Sequence, residues 1–322
     1  MRVLGLQGSP RKKGNTYYLL TRFLEECQKQ GADIQVVDVC RKKIEPCMEY
    51  ILCEKKGICP IDDDMKREIY SMLRRADVIV AATPIFFYNT TAQLKALIDR
   101  TQTLWARKYK LMLTDPNRLW RKGFTLAVGA TRGKNLFEGL NLTMKYFYDA
   151  VGASNVGSLT YRQIEKPGDM ERLPSLQQDI ETAVTTLLLP FQGRKTVLFA
   201  DAAGSCLAQM ACAFTQLIAG DRMDAVCAGF QPSDCLEPVM VQAMEEKGID
   251  MGFREPLSIK DALSGKTPEI AIAVGDVPHH DVLSGNLRFD MWDFQASEDI
   301  HQMRQIRDAI EARVKVFIQQ SA

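Results

Sequence analysis

Three stretches of this chain combine residue types at spacings that can do chemistry. The first is Gly8-Ser9-Pro10-Arg11-Lys12-Lys13-Gly14-Asn15-Thr16, which follows a short apolar run and opens a segment of helical periodicity. Free backbone N–H groups, short hydroxyls and three cations at a helix N-terminus favour an anion. An ordinary strand–helix turn with surface cations is the other reading of these residues. No Gly-Lys-Ser/Thr triplet occurs there, so the loop lacks the Walker spacing. The second stretch holds Cys47, Cys53 and Cys59, with Cys40 just upstream. Thiolates gathered in this way suit iron–sulfur or zinc ligation. The third is the strand-like run from Thr196 that ends in Asp201-Ala202-Ala203-Gly204-Ser205-Cys206 and leads into another helical segment.

Such loops work only if a scaffold presents them. Apolar strand runs at Arg2–Gln7, Ile34–Val39, Asp77–Ala82, Phe124–Ala130 and Val156–Thr160 alternate with helical spacing at Thr16–Gln30, Asp64–Arg75, Ala92–Thr103, Leu136–Val151 and Leu173–Leu189. That alternation predicts a parallel sheet covered on both faces. Pro190-Phe191-Gln192-Gly193-Arg194-Lys195 interrupts it, and the same grammar restarts: strands at Thr196–Ala200, Asp224–Ala228 and Glu269–Val274, helices at Ser205–Ala219, Leu236–Lys247 and Glu298–Gln320. The expectation is an α/β chain of two doubly wound parallel-sheet domains, residues 1–191 and 194–322. A length of 322 residues fits two domains.

Composition narrows the partners. Lys and Arg total 41 against 40 Asp and Glu, and a net charge of +1 gives no case for nucleic acid or an anionic membrane. The N-terminal apolar run is too short for a signal peptide and no stretch reaches the length of a membrane span, so a cytoplasmic protein is expected. Nine cysteines in such a chain are not read as a disulfide framework. Cys206, Cys212, Cys227 and Cys235 read as small buried hydrophobes. His279-His280 reads as a surface loop feature, because no third ligand neighbours the pair.

With two later segments, the first loop completes an ordered pattern. Thr83-Pro84-Ile85-Phe86-Phe87-Tyr88-Asn89, then Gln93-Leu94-Lys95 and Asp99-Arg100, is followed by Val128-Gly129-Ala130-Thr131-Arg132-Gly133. Together they resemble the NADPH-dependent FMN reductase and iron–sulfur flavoprotein family over nearly the whole first half. The resemblance implies a flavodoxin-like fold and assembly as a homodimer or homotetramer. It implies that Ser9, Arg11, Asn15 and Thr16 hold the FMN phosphate, that Pro84, Ile85, Phe86, Phe87, Tyr88 and Asn89 line the flavin ring, and that Gly129 and Thr131 close the far side. Read without it, Phe86–Tyr88 could be a core aromatic cluster. Tyr88 departs from the family, which commonly has a small residue there, and it narrows the expected flavin face. No catalytic acid or base is assigned, since the flavin supplies the chemistry.

Ile44-Glu45-Pro46-Cys47 and Gly57-Ile58-Cys59-Pro60-Ile61-Asp62-Asp63-Asp64-Met65 also resemble the iron–sulfur flavoproteins, in which four cysteines hold a [4Fe-4S] cluster. The family's spacing calls for cysteines at 47, 50, 53 and 59, and here position 50 is Tyr50. Three outcomes stay open: a cluster on Cys47, Cys53 and Cys59 with Cys40 or another ligand, a different metal such as zinc, or a retained loop without metal.

From about residue 195 the chain resembles the low-molecular-weight tyrosine phosphatases and their arsenate reductase relatives. The resemblance rests on Thr196–Ala211, Ala219-Gly220-Asp221, Ala228-Gly229-Phe230-Gln231-Pro232 and Glu246-Lys247-Gly248-Ile249-Asp250. That family's chemistry needs a thiolate nucleophile and an anion-binding arginine, and this chain has Asp201 and Leu207 in their places. Its Asp-Pro general acid should fall near Trp292–Ser297, which contains none, and no redox cysteine occurs in Val274–Val282. A catalytically inert domain is expected, with the Asp201 carboxylate repelling phosphate or arsenate. The functional expectation is an FMN-dependent oxidoreductase that takes electrons from NAD(P)H or a protein donor and passes them to a small-molecule or protein acceptor. The alternative is a flavin-based redox or ligand sensor acting through the inert domain.

Overall fold

Val78–Pro84 is buried along nearly its full length, as a strand inside a two-faced parallel sheet must be. It is β3 of a five-stranded sheet ordered β2-β1-β3-β4-β5, with every pairing parallel: β1 Arg2–Gln7, β2 Asp33–Asp38, β4 Lys122–Val128 and β5 Ser154–Tyr161. The computed structural model describes residues 1–263, 266–277 and 287–321, and the chain divides into two units. The first comprises Met1–Met112 and Trp120–Pro190; the second comprises Leu113–Leu119 and Phe191–Ala322.

In the first unit the helices are α1 Asn15–Lys29, α2 Leu52–Lys56, α3 Tyr70–Arg75, α4 Ala92–Arg100, α5 Gln102–Tyr109, α6 Glu138–Ala150 and α7 Leu176–Leu188. Helix α1 buries Leu19, Leu20, Phe23, Leu24 and Cys27, the face its sequence spacing marked out, and Phe23 stacks on Phe124 of β4 at 5.3 Å. Gly31 follows at φ +85°, a left-handed geometry that suits glycine and lets the chain turn into β2. Two helical segments are less regular than their periodicity. Asp64–Arg75 starts as a π-turn at Met65–Ile69, and Ala92–Thr103 breaks at Thr101, after which α5 starts. Arg121, fully buried, donates to the carbonyls of Ala76, Val151 and Arg74 at 2.9, 2.9 and 2.7 Å, and so satisfies the C-terminal ends of two helices, α3 and α6.

The second unit has a four-stranded parallel sheet ordered β7-β6-β8-β9: β6 Lys195–Asp201, β7 Met223–Gly229, β8 Ile270–Val274 and β9 Arg288–Trp292. Its helices are α8 Leu207–Ala219, α9 Pro238–Glu246, α10 Ile259–Leu263 and α11 Ile300–Ser321. Strand β9, half-exposed, carries no apolar run and was not expected from sequence. Leu113–Leu119 joins this unit through a parallel bridge of Thr114 to Ile249, in which Thr114 N donates to Gly248 O at 2.7 Å and Asp250 N to Thr114 O at 2.9 Å. Both sheets and their flanking helices agree with the α/β, doubly wound reading. His279 and His280 lie outside the described residues, as does part of Val274–Val282.

Candidate functional site

The strand order reverses between β1 and β3, and open α/β sheets bind ligands outside the strand ends at that switch point. The loops after β1, β3 and β4, three adjacent strands, meet there. Ser9 and Arg11 sit on the β1–α1 connection, and Asn15 and Thr16 open α1. Ser9 is buried, and its Oγ accepts from Arg11 N at 3.3 Å, while the Arg11 side chain stands in solvent. Helix α1 begins at Gly14 with no side-chain cap, and its first-turn N–H groups have no acceptor within the helix. One residue before the loop, the Gln7 side chain is 3% exposed and neither of its amide atoms has a partner. This strand end therefore holds unspent polar capacity beside an uncapped, cation-rich helix start, which fits a phosphate group.

The Asn15 side chain is already engaged. It donates to Lys166 O at 2.9 Å and accepts from Met170 N at 3.3 Å, fixing the loop that follows β5. Asp169 stiffens it by accepting from the backbone N–H groups of Glu165 and Lys166 at 2.9 and 2.6 Å.

After β3 the chain makes a two-residue turn. Phe86 and Asn89 exchange both backbone hydrogen bonds, at 2.9 and 3.0 Å, and Phe87 and Tyr88 between them have φ of +47° and +62°. This sign pattern belongs to a type I′ turn, which favours Asn-Gly. Two aromatic residues in left-handed backbone are strained, and strain of this kind persists where the surroundings enforce it. Here Leu140 N donates to Tyr88 O at 3.1 Å, Asn89 Nδ2 donates to Thr143 Oγ1 at 3.0 Å, and a methyl group on Gly133 would lie 2.9 Å from Tyr88 Oη. Phe87 is fully exposed and Phe86 half-exposed, so this is not a core aromatic cluster. Tyr88 reaches across to Gly133 in the loop after β4.

Backbone and side-chain bonds lock the three loops to one another. Thr91 Oγ1 donates to Gly8 O at 2.6 Å and caps α4 by accepting from Leu94 N. Ile85 N donates to Val128 O at 2.8 Å, and Ile164 N to Gly129 O at 3.0 Å. Thr131 is exposed, and Arg162 holds that loop from behind by donating to the carbonyls of Gly133, Arg132 and Lys134 at 2.5, 3.2 and 3.2 Å. Neither Arg162 nor Thr91 was picked out from sequence. Arg162 leaves only the signal of a polar residue just past a strand end, and Thr91 that of a hydroxyl residue before a helical run.

Cys47, Cys53 and Cys59 line one cavity of about 500 Å³, together with Glu49, Tyr50, Glu54, Asp99 and Arg100. Burial pushes the Cys53 thiol up, and the neighbouring Cys47 and Cys59 push it further. Cys40 does not line this cavity, and burial raises its thiol to about 11. Among the described residues no three Cys, His, Asp or Glu side chains stand close enough together to hold a metal, and Tyr50 is 61% exposed. The loop therefore gathers three thiols but not the four-ligand set of a [4Fe-4S] cluster. Arg100 and Asp63, both buried, anchor it: Arg100 makes two bonds to the Asp63 carboxylate, at 2.5 and 3.1 Å, and one to Glu45 O at 2.9 Å.

In the second unit, Asp201 ends β6 and is buried. Its carboxylate accepts from the backbone N–H groups of Gly204 and Ala208, the latter at 2.9 Å. Burial pushes its pKa up, against the pull of these and neighbouring loop N–H groups. A cavity of about 580 Å³ opens over the loop, and Phe294–Ser297, the segment where a general acid was sought, forms part of its wall. Glu298, Glu237 and Asp276 are the other carboxylates lining it.

The NADPH-dependent FMN reductase family matches residues 1–161, half of the chain, and the chain belongs to that family. An iron–sulfur flavoprotein of Methanocaldococcus jannaschii is 34% identical over 132 residues, 41% of this chain and 64% of the relative. The chain thus spans less than two thirds of that relative's length. Arsenate reductase 1 of Staphylococcus epidermidis is 29% identical over 127 residues, 38% of this chain and 96% of the reductase. The chain is therefore an FMN reductase-family unit fused to an arsenate reductase-like one. An NAD(P)H:quinone oxidoreductase structure from Methanothermobacter marburgensis covers 59% of this chain and 96% of its own, at 22% identity and a TM-score of 0.43.

Proposed function

We propose that this protein is an FMN-dependent oxidoreductase, with NAD(P)H as donor and a small molecule or a protein as acceptor. The observation that carries the reading is the convergence of the three cross-tied loops after β1, β3 and β4, combined with membership of the family. Bound FMN would supply hydride acceptance and onward electron transfer. The chain's residues do the rest. The first turn of α1, Ser9 and Arg11 meet the phosphate, and Asn15 sets the 166–170 wall beside it. The rigid 84–89 turn presents one face to the ring, and Gly129, Thr131 and Gly133 form the opposite loop.

An ultraviolet–visible spectrum of protein purified without oxygen, with iron and acid-labile sulfide measured on the same sample, tests this. A two-banded flavin spectrum is expected. A colourless protein that cannot be reconstituted with FMN overturns the reading. Iron and sulfide in matching amounts would place a cluster on Cys47, Cys53 and Cys59 despite Tyr50. The closed loop at Asp201 favours a second reading, a flavin-based sensor signalling through a non-catalytic unit. Tight flavin without steady-state turnover against a quinone or a ferric acceptor would select it. We also propose a cytoplasmic homodimer or homotetramer, to be checked by light scattering on the eluting protein. No helix among the described residues is long and apolar enough to cross a membrane.

A further inference from the structure

We infer that the β6–α8 loop of the second unit is an intact oxyanion cradle that the chain keeps filled with its own Asp201 carboxylate. The loop's carbonyls are tied outward. Ala202 O accepts from Gln231 N at 2.9 Å, Ala203 O from Ser233 N at 3.0 Å, Gly204 O from Gln209 Nε2 at 2.9 Å and Ser205 O from Glu237 N at 3.0 Å. With the carbonyls outward, successive N–H groups turn inward and form an anion-binding nest. The anion in it is Asp201: Gly204 N donates to one carboxylate oxygen and Ala208 N to the other.

The nest cannot relax to accommodate a second occupant. Gly204 sits at φ +65°, and a methyl group there would lie 2.6 Å from Gly229 N; one on Gly229 would lie 2.5 Å from Gly204 N. Loop and β7 are thus in backbone contact, with both glycines required. A free phosphate or arsenate would have to displace a tethered anion, whose effective concentration at its own loop far exceeds that of a solute. It would also arrive without a counter-charge, because the cavity above is lined by Glu237, Asp276 and Glu298 and, among the described residues, by no Lys, Arg or His. The unit therefore excludes oxyanions by occupancy, and vacating the nest turns the same loop into a site for tetrahedral oxyanions.

Occupancy and simple charge repulsion make different predictions for two variants. Asp201→Ala empties the nest, whereas Asp201→Asn removes the charge but keeps a side chain of the same size in place. The test is amide NMR of the full-length protein saturated with FMN, titrated with inorganic phosphate and read at Gly204 and Ala208, so that phosphate binding in the first unit does not enter. The expected result is saturable movement of both resonances in Asp201→Ala, with at least a tenfold weaker response in Asp201→Asn and in the unaltered protein. Equal binding by the two variants, or no binding by a folded Asp201→Ala, overturns the proposal. If Asp201→Ala does not fold, the unaltered protein still decides. The Gly204 and Ala208 amides should follow one shared acid titration, and if neither moves while the fold persists, the carboxylate is not in the nest.

Discussion

Arg100 and Asp63 form a two-point ion pair with 1% and 0% of their side chains exposed, 37 residues apart in sequence. The pair controls the cysteine loop from both ends. Asp63 also accepts from Glu45 N at 2.9 Å and Met65 N at 3.1 Å, and Arg100 donates to Glu45 O, so the residues bracketing Cys47–Cys59 are fixed to the end of α4. Removing one partner of a buried pair strands the other charge, at a cost of about 3–5 kcal/mol. Arg100→Met should therefore lower stability by that order and speed thiol labelling of Cys47 and Cys59. Asp63→Leu combined with Arg100→Met should recover part of the stability loss without restoring the slow labelling. Urea titrations and timed alkylation would check this, and unchanged labelling in Arg100→Met would contradict it.

The two buried carboxylates should answer acid in opposite senses. At Asp63, burial alone would raise the pKa, but Arg100 and the Glu45 and Met65 N–H groups outweigh it and hold the group below the ordinary carboxylate range. A depressed folded-state pKa contributes stability that is fully present above the unfolded value and is lost as pH falls through the folded one. Asp201 is raised, chiefly by burial, so its contribution runs the other way and stability gained from it increases as pH falls. Hydrogen-exchange protection at Glu45 N and Met65 N should fall below about pH 4, while protection at Gly204 N should not fall between pH 7 and pH 4. Parallel loss at all three amides would contradict the assignment of sign.

The strain at Phe87 and Tyr88 can be weighed against packing. A non-glycine residue in left-handed backbone costs about 1–2 kcal/mol. Phe87, fully exposed, has little packing to set against that, so Phe87→Gly should raise stability by about 1 kcal/mol. Tyr88 packs against Gly133 and is bonded through its carbonyl to Leu140 N, so Tyr88→Gly should gain less. Thermal melts of the two variants give the comparison. A larger gain for Tyr88→Gly would mean that its ring contact with Gly133 contributes nothing.

Much of this architecture was legible in the sequence because buried parallel strands are plain apolar runs and their loops carry glycine and hydroxyl residues at strand ends. Val78–Pro84 and Lys195–Asp201 are of this kind. What escaped depends on tertiary context. Strand β9 is half-exposed and lacks an apolar run, and Leu113–Leu119 belongs to the second unit only through its bridge to Ile249. At Asp201 the change of residue type was readable. That the carboxylate is bound by the loop, and not simply repelling a ligand, follows only from where Gly204 N and Ala208 N point. Asn15 shows the same limit: its place at the start of α1 was readable, its bonds to residues 166 and 170 were not.

That difference between Arg11 and Asn15 makes the last prediction. Arg11 is exposed, and its guanidinium would act on a bound phosphate through charge alone. Asn15 acts through the loop it holds, with one bond to Lys166 O and one from Met170 N. Arg11→Ala should weaken FMN binding by roughly tenfold, leave riboflavin binding unchanged and reduce the salt dependence of FMN binding. Asn15→Ala loses two hydrogen bonds of about 1 kcal/mol each and should weaken FMN and riboflavin together, because the displaced wall serves the whole site. Flavin fluorescence titrations at two ionic strengths distinguish the two roles. If Asn15→Ala discriminated between FMN and riboflavin as Arg11→Ala does, Asn15 would be a direct phosphate ligand and its bonds to the 166–170 loop incidental.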